Sequence, residues 1–271
     1  MTKLSQVGEL GLLAELERRG LIRGVENDAA VVGELVVTQD TLVESVHFRL
    51  DWIDWRELGF RAAAVNISDL AASGAEPDAL VVTLASPGDP RVEDVVALYE
   101  GIAESGVPVV GGDTTSAPIV VLTVTALGRS DRVPGRGGAQ PGDVLVVTGP
   151  LGGAGAAFRD HRYIRPPLRV TEGRALARHA HALLDLSDGI AVDTVHIARR
   201  SGVRCVVELD RVPLAAGASV DDLGFGEDYE LLAAVAEPGE LAVIGRVEQG
   251  EGVELLLHGA AYDLARWQHY R

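Results

Sequence analysis

The chain has 271 residues, enough for one large domain or two of ordinary size, and 47% of its residues are hydrophobic. A globular protein with an ample core is therefore expected. The formal net charge of −16 argues against nucleic acid, and against an anionic membrane surface, as the main partner. Cys205 is the only cysteine, so an internal disulfide is excluded and nothing indicates an oxidising compartment.

The N-terminal sequence and the lysine content add two constraints. The first residues have an amphipathic helical pattern that includes acidic residues, unlike a signal peptide, and no apolar run approaches the roughly 20 residues that span a bilayer. A cytoplasmic protein is therefore expected. Because Lys3 is the only lysine, the chain has neither a P-loop nor the strand lysine of protein kinases. Metal ions and arginine would have to neutralise any bound ATP phosphates.

The hydrophobic pattern of the first half predicts helices and strands in alternation. The expected elements are a helix at 5–19, a hairpin at 29–37, a helix at 54–73, a strand at 79–84, a helix at 92–105, a buried strand at 107–110 and a strand at 119–127. Gly33 is expected in the turn of the hairpin, and Asp40 just past its second strand.

A segment rich in glycine and proline, 132–143, is the best candidate for a domain boundary. We therefore predict an N-terminal domain of residues 1–138 and a C-terminal domain of residues 139–271. In the second domain, strands are expected at 144–148, 203–208, 229–236, 241–247 and 253–257, with helices near 153–159, 168–182 and 189–201. The irregular mixture of strands and helices indicates an α+β or α/β fold in both halves.

Six aspartates each end an apolar run or begin a turn of small residues: Asp28, Asp40, Asp69, Asp113, Asp185 and Asp188. Carboxylates placed at the ends of strands and helices can converge on a cleft, where their mutual repulsion raises each pKa unless cations neutralise them. Hard divalent cations bound by oxygen suit such a cluster, and phosphate is a natural further ligand. The sequence thus predicts a metal-dependent enzyme that acts on phosphates.

Each of these motifs also has an ordinary structural explanation when taken alone. Asp40 could be an Asx-turn residue, and Asp113 could cap a helix. Ser187 or Asp188 could be the N-cap of the helix that follows, and an isolated His47 is more often a satisfied structural histidine than a ligand. The functional interpretation therefore depends on all the motifs occurring together and in this order.

Taken in order, the motifs resemble those of the thiamine-monophosphate kinase family. The resemblance is carried by residues 26–30, 38–48, 64–75, 111–115, 186–191 and 226–232, and it covers essentially the whole chain. The wider superfamily is that of aminoimidazole ribonucleotide synthetase. The resemblance implies an α/β fold of two domains, in which the N-terminal domain forms a homodimer through its sheet and ATP lies in a cleft built from both domains.

The resemblance also implies an activity and a set of metal ligands. This family transfers the γ-phosphoryl group of ATP directly to the phosphate of thiamine monophosphate, giving thiamine diphosphate and ADP with the help of several Mg²⁺ ions. By motif position, the metal ligands would be Asp28, Thr38, Gln39, Asp40, Asp69, Asp113, Asp185 and Asp188.

The same comparison of motifs implies residues for the two substrates. ATP would contact Tyr99, Arg136 and Ser187. Thiamine monophosphate would be held by His47 and Glu227, beside an apolar or aromatic wall at Leu264 and Trp267. Catalysis is expected to depend on Asp113, Asp188 and Arg136. The arginine is expected to take over some of the role of an arginine finger, which stabilises the charge of the transition state.

The chain departs from the family pattern at four positions. Asn27 replaces the first of two usual aspartates. Gln39 stands where threonine or serine is usual, so one metal contact would run through the backbone or be lost. Ser116 replaces a common arginine, and Phe225 replaces the first glycine of the usual Gly-Gly-Glu-Asp motif.

Three alternatives stay open from the sequence alone. The first is a sister ATP-dependent enzyme, although the reactive terminal cysteine of selenophosphate synthetase or of the hydrogenase maturation factor has no counterpart in Cys205, which lies in a predicted strand. The second is a non-catalytic binding protein, which only Asn27 and Gln39 favour. The third is a Ca²⁺-binding structural protein, against which the lack of EF-hand spacing weighs.

Overall fold

The structure is a computed structural model that describes residues 3–23 and 27–264, without the side chains of residues 9 and 10. The helices are α1 Leu4–Arg18, α2 Trp55–Ala72, α3 Val92–Ala103, α4 Gly153–Arg159, α5 Val170–Ala177 and α6 Ile190–Ser201. The strands are β1 Ala30–Val32, β2 Leu35–Val43, β3 Glu76–Ser86, β4 Val109–Ser116, β5 Val121–Arg129, β6 Val144–Val147, β7 Ala182–Asp185, β8 Arg204–Glu208, β9 Leu231–Val235, β10 Ala242–Glu248, β11 Gly252–Leu257 and β12 Ala260–Ala261. No helix in these described ranges is both long enough and apolar enough to span a bilayer.

The first half forms a five-stranded sheet in the order β1-β2-β5-β3-β4, in which only β3 and β4 run parallel. Strand β5 shows the period-two alternation of a sheet with one covered face. Leu122, Val124 and Ala126 are buried in a core cluster together with residues of α2 and α3. Thr123 and Thr125 point to the opposite face and are only partly buried. This sheet therefore has one face that no helix of the described chain covers.

Helix α2 is almost entirely buried because it packs closely against α3. Its N-cap is Asp54, whose carboxylate accepts a hydrogen bond from the Glu57 backbone N–H at 2.8 Å. Where the helices cross, a Cβ at Gly59 would lie 1.9 Å from the Leu98 carbonyl oxygen, and a Cβ at Gly101 would lie 1.8 Å from that of Arg56. Glycine at both positions permits this close approach.

The second half forms a seven-stranded sheet in the order β12-β11-β8-β10-β6-β9-β7, with β11 and β8 parallel. One face packs on α6. The other face packs on α5 and on the end of α2, where Ala71 and Ala72 join Leu176 and Leu231 in one cluster. Strand β9 is consequently buried on both faces and reads as a continuous apolar run. Helix α2 thus contributes to the cores of both halves.

The mixed α+β architecture in two sheets confirms the predicted fold class, but several elements differ from expectation. Asp40 lies inside β2 and not beyond it. The strand predicted as buried is the exposed edge strand β4, and it includes Gly111–Thr115 instead of leading into a turn there. Strand β7 was not predicted, and the helix expected at 168–182 is the shorter α5, which ends at Ala177. No pairing between described strands joins the two sheets, and the boundary at residues 138 and 139 stays a prediction.

Candidate active site

A cavity of about 360 Å³ brings together residues from both halves of the chain. Its polar lining includes most of the residues predicted from the motifs: Asp28, Thr38, Gln39, Asp40, His47, Asp69, Arg136, Asp185, Ser187, Asp188 and Glu227. Segments far apart in sequence therefore converge on one cleft, as the positions of the aspartates predicted.

Three carboxylates form the centre of this cleft. Asp28, Asp69 and Asp185 each offer an oxygen atom, and these atoms lie within 4.8 Å of one another. The Thr38 hydroxyl donates to Asp69 Oδ2 at 2.5 Å, and the Ser68 hydroxyl donates to Asp185 Oδ2 at 2.6 Å. The second bond joins α2 of the first half to the end of β7 in the second half, so it fixes the cluster across the two halves.

Burial and mutual repulsion raise the pKa values of the carboxylic acids in the cleft. Burial, with the nearby charges of Asp28 and Asp40, raises the pKa of Asp185 to about 8. Burial followed by the Asp185 charge raises the pKa of Asp69 well above its usual range. The pKa of Asp40 rises to about 6 through burial and the charges of Asp28 and Asp188. A bound cation would relieve this cost, and an all-oxygen donor set suits Mg²⁺.

Arg136 supplies a positive charge at the edge of the cluster. Its Nη2 and Nε donate to Asp28 Oδ1 at 2.5 and 3.0 Å. Its backbone N–H donates to Asn27 Oδ1 at 3.1 Å, so the residue that departs from the family pattern supports the arginine loop. Burial nevertheless raises the pKa of Asp28, because the nearby guanidinium offsets only part of the effect.

Asn66 of α2 orients strand β2 in the cleft. Its side-chain oxygen accepts the Asp40 backbone N–H at 2.9 Å, and its amide donates to the Ala62 carbonyl at 2.9 Å. The neighbouring Gln39 faces the other way, because its side-chain amide donates to the Thr125 hydroxyl at 2.8 Å on the uncovered face of the sheet. Only the Gln39 backbone is left to face the cleft.

A loop with unusual backbone geometry carries Glu227 into the cavity wall. Positive φ angles occur at Gly226 (85°), Glu227 (59°) and Tyr229 (52°), and non-glycine residues in this region cost about 1–3 kcal/mol each. The Glu227 N–H donates to the Ser187 carbonyl at 2.8 Å, and the Tyr229 N–H donates to the Leu186 carbonyl at 3.0 Å. The loop is thus tied to the segment that precedes α6.

Aromatic side chains form the wall beside Glu227, which the sequence did not indicate. Phe158, Tyr163 and Phe225 line the cavity. The Phe158 and Phe225 rings lie 4.8 Å apart, tilted by 38°. Trp52 packs edge-on against Phe158, with ring centroids 5.3 Å apart, and stacks on His161 with ring centroids 4.5 Å apart. Phe225 is one of the departures from the family pattern, and only the tertiary structure explains its position.

The wall predicted near the C-terminus is not part of the described cavity lining. Leu264 is 3% exposed, packs in the core of the second sheet and is not among the described residues that line the cavity, so its substrate role stays a prediction. Trp267 lies outside the described residues. His47 does line the cavity, and its Nδ1 accepts the Val43 backbone N–H at 3.0 Å. In the neutral ring the proton is therefore on Nε2.

Two other predicted site residues do not line the cavity of the described chain. Tyr99 lies on α3 and packs partly against the N-terminal core. Asp113 lies in β4 opposite Thr83. Strand β4 is three places along the sheet from β2, which separates Asp113 from Asp40 by roughly 14 Å at about 4.8 Å per strand.

A second group of possible ligands was not predicted. Asp188, Asp193 and His196 offer oxygen and nitrogen atoms within 4.8 Å of one another. The Asp188 backbone N–H donates to Asp193 Oδ2 at 3.1 Å. Burial is the main cause that lowers the pKa of His196 to about 4, so its ring is neutral near pH 7. The spacing of Asp193 and His196, three residues apart on α6, was the available signal.

Comparisons with known proteins agree with this fold and site. Residues 26–130 match the family described as AIR synthase related protein, N-terminal domain, which defines the class of the first half. Thiamine-monophosphate kinases of Mycobacterium tuberculosis and Aquifex aeolicus are 34% and 29% identical, over 98% and 99% of this chain and 93% and 100% of their own length. A solved structure, AaThiL complexed with AMPPCP and TMP, has a TM-score of 0.90 and 30% identity over 99% of both chains. The chain belongs to the thiamine-monophosphate kinase family.

Proposed function

We propose that this protein transfers the γ-phosphoryl group of ATP to thiamine monophosphate, giving thiamine diphosphate and ADP. One observation carries the proposal. The cavity joins an acid cluster suited to metal-bound phosphates to a wall that contains Glu227, Phe158 and Phe225. These two ends match the two ends of thiamine monophosphate, a phosphate and a cationic aromatic ring. The named relatives, and the relative described as complexed with AMPPCP and TMP, support the same assignment.

We propose Mg²⁺ as the metal, held chiefly by Asp28, Asp69 and Asp185, with Asp40 and Asp188 at the rim of the same cleft. When bound, Mg²⁺ supplies neutralisation of the phosphates of both reactants. The Thr38 and Ser68 hydroxyls donate to Asp69 and Asp185 and would orient these carboxylates for metal binding. Positioning and electrostatics are the main demands of phosphoryl transfer.

The side chains around the cluster would orient the reactants and stabilise developing charge. Arg136 reaches Asp28 at the edge of the cleft, from which its guanidinium can donate to phosphate oxygens. Ser187 lies in the same wall beside Asp188 and would contact ATP. The acceptor phosphate is already ionised near neutral pH, so no strong general base is required. Glu227 would face the thiazolium cation, with His47 completing the substrate end.

We also propose that the protein is a cytoplasmic homodimer. Strand β1 pairs only with residues 35–37 of β2, and β5 alone pairs with the rest of that strand among the described strands. Strand β4 is likewise an exposed edge, with the apolar Val109 and Val110 at its start. In a two-fold arrangement, β4 of each copy would pair with β2 of the other. The two sheets would then cover each other's open face, and Asp113 would lie beside the partner's cleft. This arrangement would reconcile the predicted metal role of Asp113 with its place in the sheet.

The dimer can be tested by sedimentation. We expect a dimer, and we expect Thr123→Glu to produce monomers because it buries a charge on the open sheet face. Thr171→Glu, on the exposed surface of α5, is the matched control and should stay dimeric. A fully active wild-type monomer would contradict the proposed assembly.

The activity itself is tested with purified protein, Mg²⁺, ATP and thiamine monophosphate, followed by chromatography of the thiamine species. We expect thiamine diphosphate and ADP in equal amounts. ADP without thiamine diphosphate, or no turnover while Mg²⁺–ATP still binds, would contradict the proposed reaction and favour a sister enzyme or a binding protein. Free thiamine in place of thiamine monophosphate is the control for the acceptor.

A further inference from the structure

Arg61 is a charged side chain buried directly behind the substrate end of the cavity. It lies on α2, is 1% exposed and does not line the cavity. Its Nη2 lies 2.6 Å from Glu227 Oε2, and Glu227 is its only acidic partner within residues 3–23 and 27–264. Its guanidinium carbon lies 5.1 Å from the centroid of the Tyr163 ring. Arg61 therefore touches two residues of the cavity wall from behind.

The contacts of this arginine are incomplete for a buried cation. Nε of Arg61 has no hydrogen-bond partner among the described residues, and Nη2 lies against the Glu227 carboxylate in a charged contact. Burying a guanidinium with unused N–H groups is costly, and well-packed apolar residues often replace buried ion pairs without loss of stability. Packing alone therefore gives a poor account of arginine at this position.

We propose that Arg61 is a positioning residue for thiamine monophosphate, which holds the Glu227 carboxylate in the cavity wall so that it faces the cationic ring. This inference rests on the proposed function. Glu227 sits in a strained backbone conformation, with a φ of 59°, and its side chain keeps 22% exposure. Without an opposing charge behind it, the carboxylate would turn towards water. The contact with Tyr163 fixes the adjoining part of the same wall.

Arg61 has two effects on a cationic substrate, and they have opposite signs. Its positive charge repels the ring, so removing it would lower the KM for thiamine monophosphate if repulsion dominated. Its hold on Glu227 orients the attractive carboxylate, so removing it would raise that KM if positioning dominated. We expect positioning to dominate, because the 2.6 Å contact binds Arg61 to Glu227 itself.

The test compares Arg61→Met with Arg56→Met, which removes an exposed arginine from the same helix. For Arg61→Met we expect the KM for thiamine monophosphate to rise at least tenfold, with the KM for ATP within twofold and kcat within threefold of wild type. Arg56→Met should match wild type in all three. An unchanged or lower KM for thiamine monophosphate in Arg61→Met would overturn the proposal. If Arg61→Met does not fold, Arg61→Gln is judged by the same limits.

A double-mutant cycle tests whether Arg61 acts through Glu227. Glu227→Gln should raise the KM for thiamine monophosphate, and adding Arg61→Met should raise it less than threefold further. If the two substitutions instead raise the KM for thiamine monophosphate independently, so that their fold-changes multiply in the double variant, the proposal is overturned. Arg61→Lys keeps the charge and should lie closer to wild type than Arg61→Met. If the wild-type protein makes thiamine diphosphate and Arg61→Met has the wild-type KM for thiamine monophosphate, only the role of Arg61 is refuted. If the wild-type protein makes no thiamine diphosphate, the proposed function is refuted.

Discussion

The C-terminal half of α2 and the edge strand β4 both carry an aspartate within a stretch of small residues, but the two aspartates have different positions relative to the cavity. Asp69 on α2 lies in the cavity and accepts the Thr38 hydroxyl. Asp113 on β4 is exposed and lies outside the cavity of its own chain. The comparison shows that a motif can identify a candidate metal ligand without showing on which surface, or in the cleft of which copy of the chain, that residue would act.

The packing around each element explains the difference. Helix α2 contributes to the cores of both halves, and its polar side chains at Asn66, Ser68 and Asp69 each have a hydrogen-bond partner in the cleft between them. Among the strands that the structure describes, β4 pairs with β3 alone, and it has an exposed residue at every position. The first region has its partners within one chain, whereas the second has an edge that no other described strand pairs with.

The largest expected effect comes from removing a carboxylate from either region. Asp188→Asn and Asp113→Asn should each lower kcat by roughly 10³-fold, equivalent to about 4 kcal/mol of transition-state stabilisation, because each would take a charge from the proposed metal site. Steady-state kinetics with thiamine monophosphate measures the loss. Asp160→Asn, an exposed surface change, is the control and should be neutral.

Circular dichroism should show native folds for both cleft variants. Near-normal turnover in both would break the account of a shared metal cluster. Loss in Asp188→Asn alone would restrict the cluster to the cleft of a single chain and remove Asp113 from it.

A smaller effect is expected from Arg136→Ala. Its guanidinium reaches Asp28 at the edge of the cluster, so we expect kcat to fall on the order of 10²–10³-fold, with little change in ATP binding, if it stabilises charge that develops during transfer. Calorimetric ATP titration and single-turnover rates separate the two quantities. Arg174→Ala, which breaks a surface ion pair with Glu76, should leave both unchanged. An unchanged kcat in Arg136→Ala would exclude this arginine from the mechanism.

The sequence predicted the residues of the cleft better than it predicted their surroundings. Asp69 and Asp185 were recognisable because aspartates are unusual among small and apolar neighbours, and their convergence followed from the fold class. The exposure of β4 was not predictable, since an apolar pair such as Val109 and Val110 occurs in a buried strand and in an exposed edge strand alike. The role of Phe225 in the aromatic wall depended on the distant Phe158, which no local pattern links to it.

The smallest of these effects concerns stability and pH. The pKa of Asp185 is about 8 in the folded protein and near 4 when unfolded. Its contribution to stability is therefore complete below about pH 4 and is lost as the pH rises towards about 8. Without divalent cations, the free energy of unfolding should therefore fall as the pH rises over this range. Urea unfolding at several pH values measures it.

Asp185→Asn should flatten this pH dependence, because the buried amide does not ionise and can still accept the Ser68 hydroxyl. Mg²⁺ should stabilise the wild-type protein at pH 8 and have little effect on the variant. Asp160→Asn should keep the wild-type pH dependence. Equal pH dependence in wild type and Asp185→Asn would contradict the raised pKa of Asp185 as its source.

The central claim is that the cleft of one chain is completed by Asp113 of a second copy, and mixing two inactive variants tests it most directly. Asp113→Asn and Asp188→Asn proteins are unfolded together, refolded and assayed for thiamine diphosphate. If Asp113 serves the partner's cleft, each mixed dimer contains one intact site, and random assembly should restore roughly a quarter of wild-type activity. If the mixture stays as inactive as its two components while mixed dimers are present, Asp113 does not act across the interface and the account is contradicted.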